Sequence, residues 1–463
     1  MKIIILGSGN VGIELAKYLV NAGHAVTLVD NASEDLSQAG NRLDLRVVIG
    51  NPASPTVLRN AGAENTELLV AATPDDEVNI TACSVGAFLF RIPRKIARIR
   101  SIDYLREADS LFGSNAVPID HVISPEHIIT DDICDLIELP GTSAVGSCFN
   151  GRVLVATAKV AVGGKLTGAP VEKFESFDGK AVALALYRRG KYVKDFKKDV
   201  FKPGDTLYFC CERERALSQL TAIVPLKKAL SNITIAGGTH IADALARSLS
   251  ERYRVKLIEE DAQRAERSAA NLYDTSIEVY HGSPIDIEFL HEEHIDKSDL
   301  FIAAAPTDEK NIMASLILRR MHNIRTLAVI KNSGYYDLAQ GERSEIDTIL
   351  SPKDATISAL LSNIRQEGVE STTLFRQGES EAIELALEGS KFGSVVIGRR
   401  LENLTFPAGV TLGLILRGRK LLMPTPDLVI EDGDHLLAYL SDHRQMRSLV
   451  KMCRPHSFWI PKW

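Results

Sequence analysis

Short apolar runs alternate with stretches of helical periodicity along most of the chain. Lys2-Ile3-Ile4-Ile5-Leu6 has the length of a buried strand, and Val11, Leu15 and Leu19 follow on one helical face with Ala16 and Val20 beside them. A second run, Ala25–Val29, ends at Asp30. Further strands are predicted at Arg46–Ile49, Glu67–Ala72, Ile96–Arg100 and Ile119–Ile123, with a polar helix over 33–41 and another from Glu77 to Phe90. A helix from Pro125 to Leu139 carries an apolar stripe of Ile128, Ile129, Ile133, Leu136 and Ile137 and is stopped by Pro140-Gly141. That stripe suits burial against a partner subunit or against its own domain. The texture then changes. Val153–Val160, Ala181–Leu186 and Thr206–Cys210 read as strands, with turns at Gly163-Gly164, Arg189-Gly190 and Pro203-Gly204-Asp205.

The whole pattern then repeats. Residues 232–242 restate residues 2–12, and Val255–Glu259 restates the second strand and its acid. Leu300–Asn311 restates Leu68–Asn79, and Ile346–Pro352 restates Ile119–Pro125. A second amphipathic helix follows, with Ile357, Leu360, Leu361 and Ile364. Arg417-Gly418 and Glu431–Asp434 return the turns of the first strand-rich segment. The expected class is α/β, two Rossmann-like doubly wound parallel sheets, each followed by a small strand-rich α+β domain. The divisions are 1–124, a crossover helix 125–141, 142–226, then 231–350, 351–368, 370–453 and a tail 454–463.

The chemistry lies where the first strand meets its helix. Gly7-Ser8-Gly9-Asn10-Val11-Gly12 is a Gly-x-Gly-x-x-Gly turn between strand and helix, and Asp30 closes the next strand. Gly7 allows the sharp turn, Gly9 lets a pyrophosphate approach the backbone, and Gly12 lets helix and sheet pack closely. The helix N-terminus offers free N–H groups to phosphate. Asp30 is placed to accept from ribose hydroxyls. A 2′-phosphate would meet that carboxylate, and residues 31–41 contain no Arg or Lys to offset it, so NAD(H) is favoured over NADP(H). Thr73-Pro74-Asp75 ends the fourth strand and faces the same crevice, although Asp75 also suits a helix cap. Arg98 and Arg100, two apart on a strand, share a face and are candidate phosphate contacts or solvated surface cations. The second copy, Gly237-Gly238-Thr239-His240-Ile241 with Glu259, differs at the ligand. Thr239 replaces Gly9, Ala242 replaces Gly12, Val329 replaces Arg98 and Lys331 replaces Arg100. This site is expected to be weaker, with Gly238 as a partial compensation.

The 463 residues carry a net charge of −6 and a pI near 6.0, which argues against a broad nucleic-acid surface. No apolar run reaches the 18 or so residues of a membrane helix. The Lys2 to Leu6 run ends too early for a signal peptide, so a cytoplasmic chain is expected. The six cysteines form no Cys-x-x-Cys pair, and His291-Glu292-Glu293-His294 lacks metalloprotease spacing, so no metal site is expected.

With these residues together, the chain resembles the TrkA-type family, the NAD-binding subunits of Trk potassium uptake systems, over residues 1 to about 453. The resemblance rests on the glycine loop, Asp30, Thr73-Pro74-Asp75, Ala97–Arg100, Ile119-Asp120 with Ser124-Pro125, and their echoes. It implies tandem RCK domains that assemble into a cytosolic ring beneath a K⁺-translocating membrane protein, peripheral to the inner face of the membrane. It implies NAD(H) as effector, with ATP or ADP as an alternative, and no catalytic residue. Thr239 departs from the pattern, as does the tail with Trp459 and Trp463, a loose end or a contact for a partner or lipid. An NAD-dependent dehydrogenase is the competing reading. It would need an acid/base residue at the nicotinamide and would spend its remaining length on one substrate domain. The histidines are scattered.

Overall fold

A computed structural model describes residues 1–31, 36, 40, 43–113, 116–225, 230–340, 345–364, 368–389 and 394–453. Most of the expected helix over 33–41 and all of the tail 454–463 lie outside the described residues.

Six parallel strands open the chain: β1 (Lys2–Leu6), β2 (Ala25–Asp30), β3 (Arg46–Ile49), β4 (Leu68–Ala71), β5 (Arg94–Arg98) and β6 (His121–Ile123). Their order is β3-β2-β1-β4-β5-β6, the doubly wound arrangement with a switch point between β1 and β4. β1 and β4 are buried along almost their whole length, because helices cover both faces of a parallel sheet. β5 starts two residues earlier than its apolar pattern suggests. It therefore ends at Arg98, and Arg100 lies beyond the strand rather than on a shared face.

Five antiparallel strands follow: β7 (Thr142–Cys148), β8 (Val153–Lys159), β9 (Ala181–Arg188), β10 (Lys191–Tyr192) and β11 (Thr206–Glu212), ordered β10-β9-β11-β8-β7. The second half repeats both sheets. β12 (Asn232–Ala236), β13 (Arg254–Glu259), β14 (Glu278–His281), β15 (Leu300–Ala303), β16 (Arg325–Val329) and β17 (Thr348–Leu350) form the order β14-β13-β12-β15-β16-β17. β18 (Val369–Phe375), β19 (Ser380–Ala386), β20 (Val410–Arg417), β21 (Lys420–Leu422) and β22 (Asp434–Leu440) form β18-β19-β22-β20-β21, the order of the first small sheet.

The two helices that leave the Rossmann units cross over. The first exit helix, Pro125–Glu138, buries Ile129, Ile133, Leu136 and Ile137 in the core of the second Rossmann unit, with Leu245, Leu249 and Ile302. The second exit helix, Pro352–Asn363, sends Ile357, Leu360 and Leu361, with Ile364 just past its end, into the core of the first unit beside Leu15 and Leu19. Ile128 alone of the stripe packs against the helix's own domain; the other four are covered differently. Their cover is the other half of the same chain. The small sheets also share a core, in which Phe149, Tyr187 and Tyr208 meet Phe375, Leu414 and Tyr439. The Phe149 N–H donates to Glu384 at 2.8 Å across this interface.

A buried carboxyl joins the halves at a further point. Tyr18, on the helix behind the glycine loop, donates to Glu381 Oε2 of β19 at 2.5 Å, and Glu381 Oε1 has no partner. Burial pushes the Glu381 carboxyl up to about 7 against the Tyr18 hydrogen bond, from an ordinary 4.5. The native state therefore holds the proton more tightly than the unfolded chain. Its stability is full below about pH 4.5 and falls as the pH rises through about 7. Glu381→Gln should raise the unfolding midpoint at about pH 8, by the equivalent of roughly 1–3 kcal/mol, and do far less at about pH 5. Equal shifts at both pH values in thermal melts would contradict this.

Candidate functional site

The glycine loop sits at the carboxyl edge of the first sheet. Gly7 has φ +107°, and a Cβ there would meet the Ala72 carbonyl oxygen at 2.9 Å, so only glycine makes this turn without strain. A Cβ on Gly12 would come within 1.9 Å of the Gly7 carbonyl oxygen, which fixes how closely the helix Asn10–Asn21 seats on the loop. Gly9 is different. Nothing lies within 4 Å of its missing Cβ, and the open side of the loop is the side a ligand would approach. Gly9 and Asn10 are exposed, Val11 is half-buried and Ser8 is buried.

Asp30 reaches back to this loop. Its Oδ2 accepts from the Ser8 N–H at 2.5 Å and from the Ser8 hydroxyl at 2.9 Å. Adjacent strands are about 4.8 Å apart, so Gly7 after β1, Asp30 at the end of β2, Thr73 after β4 and Arg98 at the end of β5 stand along one edge about four strands wide. Thr73 is buried, and its N–H and hydroxyl both donate to Asn79 Oδ1, at 3.0 and 2.7 Å. Pro74 is exposed at the mouth. Asp75 caps the helix Asp76–Phe88 by accepting from the Val78 N–H at 2.8 Å.

The two arginines part company. Arg100 is half-exposed and paired with Glu126, Nε to Oε1 at 3.0 Å. Arg98 is half-buried and its Nε has no partner. Burial, with Arg100 nearby, pushes the Arg98 guanidinium below its ordinary range despite Glu126 and Asp76. An anion at this edge would relieve that cost, which makes Arg98 the better candidate of the two for a phosphate contact.

At the second site the same frame is filled by the protein itself. Glu259 is buried; one oxygen accepts from the Gly238 N–H, the other from the Asp261 N–H at 2.8 Å and from Arg264 at 2.7 Å. Burial opposes its ionisation, but Arg264 and these two N–H groups outweigh it and hold the carboxyl below its usual range. A Cβ on Gly238 would meet Glu259 Cγ and Ser268 Oγ at 3.1 Å, so glycine here makes room for the longer acid; Ser8 faces the shorter Asp30. Arg267 donates to the Gly238 carbonyl. Thr239 caps its helix by accepting from the Ala242 N–H at 3.2 Å and donates to the Ala304 carbonyl at 3.0 Å. Gly237 has φ +118°, Ile241 is half-buried and His240 is exposed. The remaining cavity, lined by Gly237, Glu259, Arg264, Thr307 and Lys310 among others, holds about 170 Å³. Ligand pockets run to about 300–1,000 Å³, so a whole dinucleotide would have to displace Arg264 or its neighbours.

Sequence reading missed Arg264, Arg267 and Lys310, and it missed two clamps common to both units. Asp76 accepts from the Arg100 and Ser101 N–H groups, and Asp308 accepts from those of Lys331 and Asn332. Asn79 donates to the Thr73 and Arg98 carbonyls, and Asn311 to those of Ala305 and Val329. Their identity in the two copies was the available signal.

Comparison with known proteins follows this geometry. The TrkA-N domain model matches residues 3–125 and 233–352, and the TrkA-C domain model matches residues 391–450. The chain is similar to the Trk system potassium uptake protein TrkA of Haemophilus influenzae, 38% identical over 464 residues, covering 99% of this chain and 100% of that protein. The protein of the same name from Vibrio alginolyticus is 37% identical, with 99% of this chain and 100% of that one covered. Among solved structures, the GsuK channel superposes with a TM-score of 0.62 at 17% identity, over 97% of this chain and 78% of that one. The GsuK channel bound to NAD gives 0.60 at 16%, over 98% and 78%. At these identities the likeness is one of fold, and the fold is that of paired RCK domains.

Proposed function

The chain belongs to the family of the Trk system potassium uptake protein TrkA, and from that premise we propose that it is the NAD(H)-sensing, non-catalytic subunit of a K⁺ uptake transporter. The observation that carries the reading is the first glycine loop, open over Gly9 and flanked by Asp30 and the unsatisfied Arg98. Gly7 to Gly12 would take the pyrophosphate, Asp30 the ribose, Thr73 and Pro74 the crevice wall, and Arg98 a phosphate. ATP or ADP would use the same loop as an alternative effector. Gly237 to Ile241 and Glu259 would form a lesser site.

Among the described residues no helix is long and apolar enough to cross a membrane. As in the family it belongs to, the chain would act from the cytoplasmic face on a K⁺-translocating membrane partner, in a ring of RCK units to which each chain brings a pair. The crossed exit helices supply the transmission. The helix behind the first glycine loop packs against the second exit helix, and the helix His240–Ser250 packs against the first. A ligand that shifts one loop helix thus pushes directly on the helix leading to the small domain of the other half. Allosteric coupling of this kind is typically worth about 1–3 kcal/mol.

Asp30→Arg tests the reading. It removes the ribose acceptor and the anchor of the Ser8 N–H, so NAD(H) affinity should fall roughly ten- to a hundredfold by calorimetry, and NADP(H) should gain. K⁺ uptake by cells carrying the variant should lose its dependence on NAD(H). Unchanged affinity would sink the role of Asp30; lost affinity with normal uptake would sink the regulatory role.

A further inference from the structure

A cleft of about 1440 Å³ lies between the first small domain and the second Rossmann unit, on the far side of the latter from its glycine loop. Its walls come from three of the four units: β8, β9 and the Lys202–Thr206 turn, then β16 with the approach to β17, and Arg376 after β18. Seven of its lining side chains are basic and three acidic, against an overall charge of −6 for the chain. The acids are committed. Asp205 is bound by Arg188 at 2.8 Å, Asp347 lies 3.3 Å from Arg319, and Glu345 is paired with Arg320. Lys159 and Lys202, by contrast, make no ion pair among the described residues.

Arg325 is the costliest group in this wall. Only 8% of the residue is exposed; Nη2 donates to the Leu136 carbonyl at 3.0 Å, and Nη1 has no partner. Burying part of a guanidinium unsatisfied costs stability unless something else repays it. Arg376 stacks over the Tyr187 ring, 4.5 Å from its centroid, so an aromatic surface and a cation meet at the other end.

We propose that this cleft is a binding site for a phosphate-bearing polyanion, separate from both glycine loops. Arg325 and Arg376 would form its inner wall, and Lys159 and Lys202 its rim. Phosphate fits better than a single carboxylate because Lys159, Lys202 and Arg325 converge without a fixed anion of their own, joined by Arg376, which also pairs with Glu379 at 3.2 Å, and because arginine forks suit phosphate oxygens. A bound polyanion would tie the second Rossmann unit to both small domains.

The test is calorimetry on the full chain with inorganic tripolyphosphate as the probe. The titration is done on Gly9→Val, whose first glycine loop is closed to phosphates, and this chain should still bind. In that background the double variant Lys159→Gln/Lys202→Gln, at exposed positions, should lose about tenfold in affinity, and Arg325→Gln at least as much. The lysine pair keeps the test open should Arg325→Gln fail to fold. ATP competing for the tripolyphosphate heat would identify a nucleotide as the source of the phosphates; no competition would identify an inorganic or non-nucleotide one. No binding by Gly9→Val, or unchanged binding when the lysine substitutions are added to it, would overturn the proposal. The outcome does not depend on any role in K⁺ uptake.

Discussion

Ile133→Asp, in the first half of the chain, is expected to unseat the second Rossmann unit. Ile133 is fully buried among Leu245, Leu249 and Ile302 of that unit. Truncating such a side chain costs about 2–5 kcal/mol, and burying an uncompensated carboxylate adds several more. That sum is comparable with the roughly 5–15 kcal/mol of a whole domain. The substitution is therefore too severe to serve as a mild uncoupler of nucleotide binding from transport. Leu360→Asp is its mirror image. It lies in the second half, but its side chain is in the core of the first unit, so it should abolish NADH binding at the first glycine loop. Limited proteolysis with mass spectrometry would locate the damage. Ile133→Asp should open sites between residues 232 and 350, and Leu360→Asp between 2 and 123. Damage confined to the half that carries the substitution would mean the exit helices are not exchanged in solution.

That exchange shows where the sequence stops being legible. The stripe of Ile129, Ile133, Leu136 and Ile137 announces a buried face, because local periodicity records which side of a helix avoids water. It cannot say which of two homologous sheets covers that face, since both offer the same aliphatic surface. The glycine loop was legible because it is short-range chemistry, a strand, a turn and a helix within thirty residues. So was the duplication, which repeats that chemistry with Gly238 and Glu259 in place of Ser8 and Asp30. The end of β5 was misplaced because Arg94 and Lys95 begin the strand with charged residues, and Lys95 hides its ammonium against the carbonyls of Ile92 and Pro93. The different fates of Arg98 and Arg100 were invisible for the same reason. Glu126, which takes Arg100, is 26 residues away across the next strand.

Thr239, which replaces Gly9, is only part of the obstacle expected at the second site. It occupies the ligand-facing position, yet its hydroxyl also caps the helix, and the stronger obstacle is Arg264 locked on Glu259. To bind a dinucleotide there, the ribose would have to compete with a buried, charge-assisted pair inside a 170 Å³ cavity.

The second large effect follows from this asymmetry. Gly9→Val should remove the proposed strong nucleotide site while leaving the fold intact. Gly9 has φ −68° and ψ 177°, a conformation that valine adopts freely, and no atom lies within 4 Å of the added Cβ. The new methyl groups therefore occupy only the space through which a pyrophosphate must approach the loop N–H groups. Losing those charge-assisted contacts should weaken NADH by at least about a hundredfold, or roughly 3 kcal/mol. Calorimetry on the parent should give one strong NADH site per chain, with any second site much weaker. In Gly9→Val only the weak component should remain, with an unchanged thermal unfolding midpoint. Arg264→Ala should leave the strong site untouched and, by freeing Glu259 and enlarging the second cavity, improve the weak one. Two equal sites that both survive Gly9→Val would place the nucleotide elsewhere, and an Arg264→Ala variant that lost the strong site would reverse the assignment of the two units.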